Sequence, residues 1–224
     1  MSNKLIQETS EKLPHSRWIG SDEAGKGDYF GPLVVASILV DDTIASSLDE
    51  LGVKDSKRLS DNSAKDLAAK INRMCLCSVV IIGPKRYNEL YSEIGNLNRL
   101  LAWGHSRAIE NILNKEECDY ALADQFGDEK FINNALMERG KRIKIEQRPR
   151  AESDIGVAAA SILARAEFLR QLAMLSKKYG VAFPKGASAA VIETGRDFVT
   201  RYGTGKLNEV AKVHFKTTKS VLAE

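Results

Sequence analysis

The sequence predicts a single α/β domain in which helices cover a mixed β-sheet. Two apolar, strand-like segments follow each other early in the chain, separated only by a glycine-rich turn. Farther on, short apolar segments alternate with stretches of helical spacing, the pattern that places helices over a sheet. No internal repeat or low-complexity linker interrupts the 224 residues, a length that suits one substantial core. Residues 1–15 are polar and read as an N-terminal arm, and residues 16–224 as one domain with a helical C-terminal part.

In chain order, residues 17–22 predict a strand, and residues 31–40, rich in Val, Ile and Leu, a second. Leu59-Ser60-Asp61 offers helix-capping chemistry ahead of helical spacing over 64–74. Residues 75–82 predict a third strand, stopped by Gly83-Pro84. Residues 98–114 carry apolar positions at Leu100, Leu101, Trp103, Ala108, Ile109, Ile112 and Leu113, a helical face. A short strand at 120–124, a helix at 131–139 and a strand at 142–147 follow. A long helix spans 155–178, and two further helices are expected near 191–201 and 207–213.

Composition sets broad limits. Apolar residues make up 43% and charged residues 28% of the chain, as in ordinary soluble globular proteins. A net charge of +3 says little, but its distribution says more. Cations crowd 139–150, and Lys206, Lys212, Lys216 and Lys219 punctuate the C-terminus, a pattern that fits a polyanionic partner. Cys75, Cys77 and Cys118 lack the spacing of a zinc site, and three cysteines make no disulfide framework. No signal-peptide pattern or membrane-spanning run is present, so a cytoplasmic monomer is expected.

The chemistry concentrates in Ile19-Gly20-Ser21-Asp22-Glu23-Ala24-Gly25-Lys26-Gly27. Adjacent carboxylates at a strand end repel each other and resist desolvation, so they call for a cation. The glycines behind them let another backbone come close. Asp124 ends a second predicted strand, and strand ends are where open sheets gather ligands. Two hard cations need a further acid. Glu152 and Asp154, just before the long helix, both qualify, and local sequence does not choose between them. Gly20 to Lys26 also has the spacing of a phosphate-binding P-loop. The following residue is Gly27 rather than Ser or Thr, and the segment leads into a strand rather than a helix. Two acids inside a phosphate cradle would oppose the ligand, so a P-loop nucleotidase stays only as a remote alternative. A non-catalytic binder of polyanions would gain nothing from clustered carboxylates.

Three blocks carry a resemblance. Asp22-Glu23-Ala24-Gly25-Lys26-Gly27 with Gly31-Pro32, Lys54-Asp55-Ser56-Lys57-Arg58-Leu59, and Ala158-Ala159-Ala160-Ser161-Ile162-Leu163-Ala164-Arg165 resemble the signatures of the type 2 ribonucleases H. Tyr87-Asn88-Glu89-Leu90-Tyr91, Ala102-Trp103-Gly104-His105 and Pro184-Lys185-Gly186-Ala187-Ser188 resemble the HIII branch of that family. The resemblance implies an RNase H-like fold and cleavage of RNA paired to DNA, leaving 3′-hydroxyl and 5′-phosphate ends. Incision at single ribonucleotides in duplex DNA, the HII-like activity, is the alternative. It also implies a two-ion Mg²⁺ or Mn²⁺ site on Asp22, Glu23, Asp124 and Glu152, the last chosen because Ala151-Glu152-Ser153 matches the HIII pattern. Gly25, Lys26 and Gly27 become candidates for contact with the ribose 2′-hydroxyl, and Ser56, Lys57 and Lys185 for phosphate contacts. HIII proteins usually carry a small N-terminal substrate-binding domain, which about 15 residues are too few to encode.

Overall fold

A computed structural model describes residues 16–54 and 60–223. Five strands form one sheet: β1 (Arg17–Ala24), β2 (Leu33–Asp41), β3 (Cys77–Ile82), β4 (Tyr120–Asp124) and β5 (Lys144–Arg148). Their order across the sheet is β3-β2-β1-β4-β5. The first three strands pair antiparallel, while β1–β4 and β4–β5 pair parallel, which makes the predicted mixed sheet. The helices are α1 (Asp42–Glu50), α2 (Asp61–Met74), α3 (Pro84–Ile94), α4 (Leu97–Leu113), α5 (Glu129–Ala135), α6 (Ile155–Tyr179), α7 (Ala189–Tyr202) and α8 (Lys216–Leu222). Among the described residues no helix is long and apolar enough to cross a membrane.

Both faces of the sheet are covered, which explains why β2 is apolar throughout rather than alternating. Val34, Ala36, Ile38 and Val40 join the core beneath α6 and α2. Leu33 and Leu39 point the other way, into the two smaller cores beneath α3, α4 and α5. Close approach of α6 sets the geometry of the site. A side chain on Gly20 of β1 would place its Cβ 2.2 Å from the backbone carbon of Gly156, in the first turn of α6. Only glycine lets the strand and the helix N-terminus touch there.

Most predicted elements stand within two or three residues of their expected limits. Three helices were not expected: α1, α3 and α8. Each is short and buries only one or two side chains, so apolar periodicity is faint. Helix α5 starts ahead of the predicted 131 because Asp128 caps it, accepting from the Lys130 N–H at 2.9 Å. It ends at Ala135, not at 139. The expected helix at 207–213 is also corrected: a 3₁₀ segment covers Thr204–Glu209, and the chain then runs alongside the turn after β1. There Gly31 N–H donates to Val210 O and Lys212 N–H to Tyr29 O, both at 2.9 Å. These bonds take the backbone groups that a helix would have used.

Candidate active site

Strand pairing brings the acids together. The parallel register of β1 and β4 pairs Ser21 with Ala123, so Asp22 and Asp124 each follow one residue later on neighbouring strands. Glu23 adjoins Asp22, and Glu152 sits in a 3₁₀ turn, Ala151–Ser153, directly before α6. That turn is tied to β4 by the Ala151 N–H, which donates to Asp124 Oδ1 at 2.9 Å. Arg150 enters it with φ 57°, the left-handed region that few non-glycine residues adopt. The turn is therefore held in place from one side by Asp124 and from the other by α6.

Asp154, the other candidate before α6, serves differently. Its Oδ1 accepts from the Gly156 and Val157 N–H groups, at 2.9 and 3.0 Å, and from Trp18 Nε1 at 3.1 Å. It caps the helix and anchors β1, with three donors already converging on one oxygen. The structure thus separates two acids that local sequence left equivalent, with Glu152 on the side of the cluster.

The electrostatics are those of crowded negative charge. Burial, then the neighbouring Glu23 charge, pushes the Asp22 carboxyl up to about 7, with Asp124 adding to the effect. The Glu23 N–H, donating to Asp22 Oδ1 at 2.8 Å, and the Ser161 hydroxyl from α6 offset only part of this. Burial also raises Asp124, and the charges of Glu152 and Glu23 raise it further. Glu23 moves the opposite way despite its burial, because His105 and Lys26 hold its carboxyl below the usual range. His105 Nε2 lies 3.2 Å from Glu23 Oε2, and Lys26 Nζ lies 3.3 Å from Oε1.

Among the described residues no three of these groups close into a ready-made metal cage. Glu23 is engaged by Lys26 and His105, and Asp124 by the backbone of Ala151. The donor set nevertheless fits a hard divalent cation: it consists of carboxylate oxygens, and mutual repulsion gives it an unmet demand for positive charge.

The glycine turn is clamped beside the acids. Gly25 has φ 85°, and a Cβ there would stand 2.2 Å from Pro32 O, so both conformation and space require glycine. Tyr29 N–H donates to Gly186 O at 2.9 Å, and Gly186 N–H to Asp28 Oδ1 at 2.6 Å. The turn and the 184–188 loop thus form one surface, with Gly27 exposed and open above it. Lys185 lies on this surface and pairs with Asp61 Oδ2 at 2.7 Å, while Arg165 takes Oδ1 at 2.8 Å. Ser56 and Lys57 lie outside the described residues.

Two assignments change. Lys212 was counted among cations facing a polyanion, but it is fully buried. Its Nζ donates to Asp28 O at 2.7 Å and Gly31 O at 2.8 Å, bracing the glycine turn from below. Burial pushes it down to about 7. His105, given no role above beyond its place in the Ala102–His105 block, contacts an acid of the cluster. The signal for it was present in Ser21 and Ser37, polar residues inside apolar strands that need buried partners. Ser161, within the long-helix motif, carried no residue-level signal of its contact with Asp22.

Residues 19–218 match the family described as Ribonuclease HII. The chain belongs to that family, the type 2 ribonucleases H. Curated relatives at 39–44% identity are of the HIII kind. Ribonuclease HIII of Protochlamydia amoebophila is 44% identical over 94% of this chain and 69% of its own length. Ribonuclease HIII of Chlamydia pneumoniae is 43% identical over 89% and 68% respectively. The chain therefore spans a little over two thirds of these relatives. Among solved structures, Bst-RNase HIII in complex with Mn²⁺ superposes with TM-score 0.86 at 34% identity, covering 92% of this chain and 69% of that one. Ribonuclease HII of Archaeoglobus fulgidus, solved with PCNA, gives 0.75 at 26%, covering 92% and 97%. Sequence identity favours the HIII branch.

Proposed function

We propose that Asp22, Glu23, Asp124 and Glu152 hold two divalent cations, Mg²⁺ or Mn²⁺, in an enzyme that cleaves the RNA strand of RNA–DNA hybrids. Endoribonuclease activity on such hybrids follows from membership of the family on its HIII branch. The assignment of residues rests on one observation: on adjacent strand ends, burial and neighbouring carboxylate charge raise Asp22 and Asp124, and the donors in reach offset this only in part. A related HIII enzyme solved with Mn²⁺ supports that ion. When bound, such a pair supplies the charge that activates water for in-line attack and stabilises the leaving 3′-oxygen.

The remaining roles belong to the chain itself. Asp124 and the Ala151 N–H fix the turn that presents Glu152. The turn Gly25-Lys26-Gly27, open at Gly27, approaches the ribose, where the 2′-hydroxyl alone distinguishes RNA from DNA. Lys185 contacts a phosphate, which positions the duplex without reading sequence. The products are 3′-hydroxyl and 5′-phosphate ends.

The test is Asp124→Asn. Cleavage of a uniform RNA–DNA hybrid in Mg²⁺ or Mn²⁺ should fall by more than the roughly 10–100-fold typical of losing an outer partner of a metal site. Hybrid affinity, measured by fluorescence anisotropy, should stay close to wild type. Cleavage at a near-normal rate would remove Asp124 from the site.

A further inference from the structure

The contact between His105 and Glu23 is the surface end of a buried polar chain. His105 is fully buried on α4, its ring stacked on Phe126 with centroids 4.8 Å apart. Its Nε2 lies 3.2 Å from Glu23 Oε2, and its Nδ1 lies 2.7 Å from Ser21 Oγ. Ser37 Oγ donates to Ser21 Oγ at 2.9 Å. Ser21 and Ser37 are directly opposed on β1 and β2, and both are fully buried. Three polar side chains with no access to water thus end on one oxygen of a single acid.

We propose that His105 is a positioning residue for Glu23, holding Oε2 against α4 so that Oε1 is the oxygen offered to a cation. Proton bookkeeping supports this. Ser21 has one hydroxyl proton and two acceptors in reach, Ala36 O at 3.1 Å and His105 Nδ1 at 2.7 Å. With Ser37 donating to Ser21, the shorter contact directs the Ser21 proton to Nδ1. A neutral imidazole that accepts at Nδ1 carries its own proton on Nε2. That proton points at Glu23 Oε2, which makes the contact attractive. The serines therefore select the tautomer, and the tautomer orients the carboxylate, as outer partners orient metal ligands in general. Oε1 remains beside Lys26, whose side chain is 38% exposed and can move away. Gly104, the neighbour of His105, lets α4 sit this close: a Cβ there would meet Val35 Cγ2 at 2.8 Å.

This inference rests on the proposed four-acid site, and the experiment separates the two. Mn²⁺ binding to the intact chain is measured calorimetrically, without substrate, for wild type, His105→Phe and His105→Gln. Phenylalanine keeps the ring on Phe126 but cannot donate, whereas a glutamine amide can place a donor where Nε2 stood. His105→Phe should weaken Mn²⁺ binding roughly 10–100-fold, and His105→Gln should restore most of it. Equal binding by wild type and His105→Phe, or equal losses in both variants, would overturn the positioning role while leaving the site intact. Failure of wild type itself to bind Mn²⁺ would overturn the site and the inference together. A measurement independent of mutant folding is the histidine ¹⁵N–¹H spectrum of the wild-type chain. It should show His105 protonated on Nε2, and protonation on Nδ1 alone would refute the relay.

Discussion

Replacing Asp22 by Asn should stabilise the metal-free protein while abolishing its cleavage activity. The Asp22 carboxyl rises from 3.8 to about 7 on folding, through burial first and the adjacent Glu23 charge second. The native chain therefore keeps a proton that the unfolded chain has released between about pH 4 and pH 7. Where the native state binds the extra proton, stability falls as pH rises. At about 1.4 kcal/mol per pH unit, the penalty is complete above pH 7 and amounts to roughly 4 kcal/mol. Because the acids titrate together, that figure is a ceiling for the single substitution.

Asparagine keeps the shape and can still accept from the Glu23 N–H, but it cannot ionise. In chelator at pH 8, Asp22→Asn should melt higher than wild type, by up to roughly 8–16 °C if the full penalty is relieved, at about 2–4 °C per kcal/mol for a domain of this size. Near pH 4 the two proteins should melt alike. Adding Mg²⁺ at pH 8 should raise the wild type by about 2.7 kcal/mol at one hundred times its dissociation constant, and the variant much less. Calorimetric melts at the two pH values, with and without Mg²⁺, make the measurement. A variant no more stable than wild type at pH 8, or an equal gain at both pH values, would refute the idea that Asp22 is held ionised against the fold.

Other perturbations probe separate parts of the structure. Gly20→Ala drives a methyl into the first turn of α6 at 2.2 Å from backbone; a loss of at least about 3 kcal/mol in urea denaturation is expected, and a well-folded variant would contradict the packing described. Lys212→Met leaves the carbonyls of Asp28 and Gly31 without their buried donor, so unfolding should shift by about 2 kcal/mol or more. Because its ammonium is pushed down to about 7 from 10.5, the wild type should gain stability as pH rises from about 7 toward 10, and the methionine variant should lack that slope. On the branch assignment, a duplex with one embedded ribonucleotide should be cut far more slowly than a uniform hybrid. Efficient incision of the former would favour HII-like specificity.

The sheet and its long helices were legible because burial on both faces writes itself into composition. β2 is apolar along its whole length, and α6 shows small and apolar residues through four successive signature positions, Ala158 to Ser161. The short helices α1, α3 and α8 were not legible, since one or two buried side chains apiece leave no period to read. Lys212 was misread for a related reason. Nothing local marks a lysine as buried when its partners are backbone carbonyls 181 and 184 residues away.

The site divides along the same physical line, between acids set apart with donors of their own and acids crowded by one another's charge. Glu110 is buried yet accepts from the backbone N–H groups of Arg139 and Gly140. Glu146 is held down to about 2 by Arg148. Asp154 caps a helix. In sequence these acids look much like Asp124 and Glu152, and in structure each has a defined donor away from the Asp22–Glu23 pair. Asp22 and Glu23 were recognisable early because adjacency guarantees repulsion wherever the backbone goes. Asp124 and Glu152 became distinguishable only once strand register and the turn before α6 placed them beside that pair. His105 completes the reasoning from the other direction: Glu23 meets a fully buried imidazole, and that ring stands on a helix 82 residues away in sequence. Asp22 carries its charge at a cost that a bound cation would relieve, and His105, engaging Oε2 of Glu23, would leave the oxygen beside Lys26 to face such an ion.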